Sequence, residues 1–145
     1  MLWSANQKVV ASMDTATTAS SGTATLTIDR LDYDHASIAV VRASNSATGF
    51  ATVLKVQESD DNSTFSDVTA FVGGGTGGFT IPTVSNTNAA AIVKFDIDCR
   101  AKKRYLKVLY TPTTAVNCFI EARLGRPHAS PASAADAGCI GLVSG

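Results

Sequence analysis

Two histidines, His35 and His128, are the only imidazoles available for acid–base work. His35 follows Asp32 and Asp34, so the run contains a base and a carboxylate able to orient it. Acyl transfer also requires a Ser or Cys held beside that base and donors for an oxyanion, and no spacing marks either. A solvated acidic turn accounts for the same residues. Asp60, Asp61 and Asn62 offer oxygens suited to Ca²⁺. They lack the Asp-x-Asp-x-Asp-Gly spacing and closing Glu of an EF-hand loop, and an exposed hairpin tip explains them. Gly73 to Gly78 looks superficially like a phosphate cradle, but the Gly-Lys-Ser/Thr ending and following helix of a P-loop are missing. Such a run serves either as a loop tip or as a place where two backbones approach closely. Arg100, Lys102, Lys103 and Arg104 form the one basic cluster. It either meets an acidic patch on a partner or is a solvated turn. The expectation is a protein with no catalytic residue, no cofactor and no metal, and therefore not an enzyme.

Composition points the same way. The 145 residues suffice for one domain with its own core. Charged residues make up 17% and the formal net charge is zero. A soluble domain usually carries about a quarter charged residues, so this surface suits burial against neighbours. Neutrality argues against a nucleic-acid partner, which would call for a basic footprint. Cys99, Cys118 and Cys139 are odd in number and widely spaced, so no disulfide framework is expected; Cys99 and Cys118 read as small hydrophobes in strands, and Cys139 lies in the tail, where it is open to exposure. The chain suits a reducing cytoplasm as its place of synthesis. Met1 to Lys8 has no basic segment followed by an apolar one, so no signal peptide is expected. No apolar run reaches the ~20 residues of a membrane span, so no membrane partner is expected.

The elements that would position these groups read as strands. Thr23–Asp29, Ala36–Ala43, Phe50–Glu58, Phe65–Phe71, Ala91–Ile97, Arg104–Tyr110 and Val116–Leu124 each show alternation or β-branched enrichment, with Phe79–Pro82 as a short edge piece. Regular turns between short strands predict an all-β antiparallel sandwich or barrel over 23–125. Residues 1–22 have no helical stripe and read as an extended N-terminal arm, with Leu2 and Trp3 as apolar anchors. Residues 126–145 read as an extended C-terminal arm, because Pro127 and Pro131 restrict the residues before them. That arm ends in Ile140, Leu142 and Val143, a candidate docking peptide. Removal of 132–145 is expected to leave the fold intact and weaken partner binding.

Four segments carry a family resemblance: Ile28-Asp-Arg-Leu-Asp-Tyr33; Leu54-Lys-Val-Gln-Glu-Ser-Asp-Asp61 with Phe65-Ser-Asp-Val68; Lys103-Arg-Tyr-Leu-Lys-Val108; and Leu124-Gly-Arg-Pro-His-Ala129. In this order the chain resembles the small head-decoration (cement) proteins and related head-module proteins of tailed phages. The hairpin departs from the pattern, with Asn62 where Gly is expected. The resemblance implies a jelly-roll-like sandwich that binds the outer surface of a capsid in the virion. Its partners would be the major capsid protein and itself, as a homotrimer. Extended arms would pair with neighbouring strands to supply register, and three-fold symmetry would multiply weak contacts. The alternatives are another virion component (tail, neck or head fibre) and a receptor- or carbohydrate-binding sandwich. The last would need exposed aromatics for sugar stacking, and the chain has one Trp.

Overall fold

The computed structural model describes residues 6–13, 22–84, 89–128 and 135–140, with backbone alone for 11–13. Its strands are β1 (Lys8–Met13), β2 (Ala24–Asp29), β3 (Tyr33–Arg42), β4 (Val53–Ser59), β5 (Ser66–Val72), β6 (Ala91–Asp98), β7 (Tyr105–Thr111) and β8 (Cys118–Pro127), with a 3-10 turn at Cys99–Ala101. They form two four-stranded sheets, ordered β1-β8-β3-β6 and β2-β7-β4-β5. All pairings are antiparallel. β1 pairs with β8, β2 with β7, β3 with β6 and β4 with β5. This is how a long hairpin pairs when it is rolled into two layers, a jelly-roll-like winding.

Alternation builds the core. Leu26 and Ile28 on β2, Ala36, Ile38 and Val40 on β3, Leu54 and Val56 on β4, Phe95 and Ile97 on β6 all point inward. So do Leu106, Val108 and Tyr110 on β7, and Cys118, Ile120, Ala122 and Leu124 on β8. Fully burying a large aliphatic side chain stabilises by roughly 1.5–3 kcal/mol, so this two-layer contact dominates the fold. Both expected core cysteines are buried, and desolvation pushes the Cys99 thiol up to about 11. An activated thiol would be shifted the other way.

Several boundaries differ from the sequence reading: β3 begins at Tyr33 rather than Ala36, so Asp34 and His35, expected in a turn, lie on a strand, and β8 begins at Cys118 rather than Val116. Lys8–Met13, within the segment read as an arm, is a strand paired along its length with β8. Its run Lys-Val-Val-Ala-Ser-Met barely alternates, because an edge strand rests only partly on the core; Val10 packs against it. At the other end, β8 continues through Pro127, opposite Tyr33. Proline is tolerated there, at the last residue of the strand. The third strand was expected to alternate from Phe50, yet Phe50 and Ala51 are both buried and β4 begins at Val53. Phe50 lies under the Tyr110 ring, centroids 5.3 Å apart, and its carbonyl accepts the Tyr110 hydroxyl at 3.1 Å. Burial pushes that phenol up to about 12.

Arg42 breaks the inward apolar pattern of β3. Fully buried, its guanidinium donates to the carbonyls of Gly49 and Ala47 (both 2.8 Å) and lies 5.8 Å over the Phe50 ring. It pins the 43–52 loop over the end of the core, in a role that strand alternation gives no means to foresee.

Candidate interaction surfaces

The four segments that carry the family resemblance converge on one end of the sandwich. Arg104, at the start of β7, donates to both carboxylate oxygens of Asp29 at the end of β2 (3.0 and 2.7 Å). That contact holds Asp29 below its ordinary carboxylate range. Lys103 pairs with Asp60 at 3.0 Å, and its backbone N–H donates to Glu58 at 3.0 Å. Arg30 donates to the carbonyls of Lys102 and Lys103. Lys107 lies 3.6 Å over the Phe65 ring. Arg100 is held by Asp98, whose carboxyl is pulled well below its usual range by that contact. Three of the four residues in the expected basic cluster thus spend their charge on the chain's own carboxylates. Exposed pairs of this kind add little to stability, because solvent and salt screen them.

The hairpin tip is organised by Asp61. Its carboxylate accepts from the Ser59 hydroxyl (2.7 Å) and the N–H groups of Ser63 (2.9 Å) and Thr64 (2.8 Å). These bonds lower its pKa, the Ser59 hydroxyl most. Asn62 has φ +58°, the left-handed conformation for which glycine is the usual residue and asparagine the common substitute. Among the described residues, no group of three or more His, Cys, Asp or Glu is arranged to hold a metal ion.

The histidines exchange the roles read from the sequence. His35 lies on β3 opposite Asp98, and its ring comes within 3.8 Å of Asp96, its diagonal neighbour on β6. The imidazole of His128 is the one that meets the acidic pair, at 3.2 Å from Asp34 and 3.7 Å from Asp32, and the His128 backbone N–H donates to the Asp32 carbonyl at 2.8 Å. A contact ninety-four positions apart in sequence leaves no local signature.

Of the candidate anchors, Leu2, Trp3, Leu142 and Val143 lie outside the described residues. Ile140 is described and fully exposed. The segment just before it folds back on the chain itself. The Val9 N–H, on the outer edge of β1, donates to the Ala137 carbonyl at 2.9 Å, and the Ala137 side chain is buried. Gly138 has φ +73°, and a Cβ there would lie 2.0 Å from the Val9 carbonyl oxygen, so only glycine allows this approach. Removing 132–145 would therefore strip a buried contact from β1 as well as any docking peptide.

The opposite flank is different. Between the edges of β5 and β6 lies a groove of about 380 Å³, walled by Phe71, Phe79, Pro82, Val93 and Phe95. The Phe95 ring receives Phe71 and Phe79 edge-on, at 5.9 and 5.5 Å. The glycine run forms the neighbouring turn and is a close approach: a Cβ at Gly78 would lie 1.9 Å from the Val72 carbonyl oxygen. A second hollow, about 430 Å³, lies on the outer face of the first sheet and is lined by charged residues including His35, Lys94, Asp96, Glu121 and Arg123. Among the described residues, no helix is long and apolar enough to cross a membrane.

No protein-family model matches this chain, and no curated protein matches it. Among solved structures, one described as Bacillus endospore appendages that form a novel family of disulfide-linked pili is similar, with 12% identity and a TM-score of 0.41 over 83% of this chain and 87% of that one.

Proposed function

We propose that this chain is a structural subunit of a tailed-phage virion, binding the outer surface of the capsid and bridging major capsid protein subunits. The observation that carries this reading is the convergence just described. The four segments resembling decoration proteins are distant in sequence, yet they meet at one end of the sandwich through Arg104–Asp29, Lys103–Asp60 and His128–Asp32. A set of short likenesses that arose by chance would be scattered over the molecule. The all-β fold agrees with the sandwich that the resemblance implies. Its partners in this reading are the major capsid protein and further copies of itself, arranged as a trimer, and its location is the capsid exterior.

Mechanically, a rigid two-layer body suits such a task. Its core is indifferent to the partner, and binding energy comes from edges and terminal segments, where backbone pairing gives register. Many copies, each holding two subunits, add contacts across seams that internal pressure would open. Cryo-electron microscopy of the parent virion tests the reading. Density for the sandwich at local three-fold axes of the capsid is the expected result. Density only at the tail or neck, or none on the particle, would overturn it.

A further inference from the structure

We propose that the outer edge of β6 is a docking site for β6 of a second copy, in an antiparallel register centred on Phe95. The other edges are partly covered, crowded or interrupted. Ala137 covers β1, and β2 lies against β1 and β8. β5 shifts register against β4 between Lys55 and Gln57, and the glycine turn folds onto its end, with the Phe79 N–H donating to the Val72 carbonyl at 3.2 Å. β6 runs from Ala91 to Asp98 without proline, glycine or bulge. Among the described residues, no backbone group reaches its outer edge. Unpaired edges of this length are templates for another strand unless they are blocked.

The side chains choose the occupant. Residues directly opposite in an antiparallel pair lie on the same face, so only registers that match odd with odd positions keep both core faces aligned. Centring on Phe95 sets Lys94 against Asp96 of the second copy and Asp96 against its Lys94. Both side chains are more than half exposed on the outer face, where they pair with each other within the chain at 3.1 Å, so the register gives each a second opposite charge rather than its first. Centring on Lys94 opposes two lysines, and centring on Asp96 opposes two aspartates. Inside, Phe95 meets Phe95 of the second copy, and Val93 meets Ile97, beside the apolar groove. The strand is thus complementary to itself, as a two-fold interface requires. Ile92, 67% exposed, would lose solvent at the margin.

Pairing through β6 doubles whatever unit is present, monomer to dimer or trimer to hexamer. Sedimentation equilibrium of the full chain over a concentration series tests this at low and physiological salt. The wild type is expected to double in mass. Lys94→Asp and Asp96→Lys, each placing like charges opposite one another twice, should weaken doubling by about tenfold or more. The combined variant K94D/D96K restores opposite charges both across the two-fold and within the chain, and should restore doubling; a urea midpoint near the wild-type value for each single variant separates a lost interface from a lost fold. A wild type that never doubles, an assembly insensitive to both single variants, or a failure of the combined variant to recover overturns the proposal. None of these outcomes bears on capsid binding, and absence from the capsid would not bear on the doubling.

Discussion

The two flanks of the sandwich solve the same problem in opposite ways. Each sheet ends in a strand with unsatisfied backbone groups. On the β1 side the chain supplies its own cover: Ala137 is buried against β1, and its carbonyl takes up the Val9 N–H. On the β6 side the two sheets part around Phe71, Phe79 and Phe95, and no described backbone group hydrogen-bonds the outer strand edge. The closed flank depends on a single glycine and a single hydrogen bond. The open flank depends on three aromatic rings, which stabilise it from within while its edge stays accessible.

The comparison can be broken most forcefully at Phe95. Replacing it with Ala should cost about 3–5 kcal/mol, since Phe95 is 5% exposed and two further rings pack against it. Urea unfolding measures this, and a loss below about 1 kcal/mol would mean that the open flank is not packed core. On the closed flank, Gly138→Ala places a Cβ against the Val9 carbonyl at a left-handed φ. The cover should detach at a cost of about 1 kcal/mol or more, with faster hydrogen exchange at the Val9 amide and little change at Val93. Equal acceleration at both sites would show that the flanks are not independent. The smallest effect belongs to the charged end, which neither flank uses. Asp29 is held below its ordinary pKa by Arg104, so its contribution is present above about pH 4, its unfolded value, and disappears as pH falls through the folded pKa. Because the pair is exposed, Asp29→Asn should remove less than about 1 kcal/mol at pH 7 and flatten the acid limb of the stability profile slightly. A larger loss would mean that this end is more tightly built than its exposure indicates.

How far the sequence could be read depended on the range of the interaction. Alternating residues such as Leu26 and Ile28, or Leu106, Val108 and Tyr110, declare both the strand and its buried face, because the period of two is imposed locally by the pleat. Edge strand β1 was read as an arm because an edge strand needs little apolar alternation. The fully buried Arg42 follows the inward period of β3 but not its chemistry, and its partners are carbonyls of a loop whose path only folding defines. The acidic pair Asp32 and Asp34 is visible in the sequence, but only Asp32 lies in a turn, Asp34 standing on β3, and their imidazole partner is His128 rather than the adjacent His35.

By itself, then, the sequence determined the all-β class, the inward faces of the central strands, the buried cysteines and the polar hairpin at Asp61, all consequences of local periodicity and turn chemistry. Tertiary structure alone decided which edges are covered, that Ala137 returns to β1, that the four resembling segments share one end, and that β6 is left bare. Those outcomes depend on sheet order and on contacts between residues far apart in the chain, and a linear pattern does not encode which strand becomes an edge.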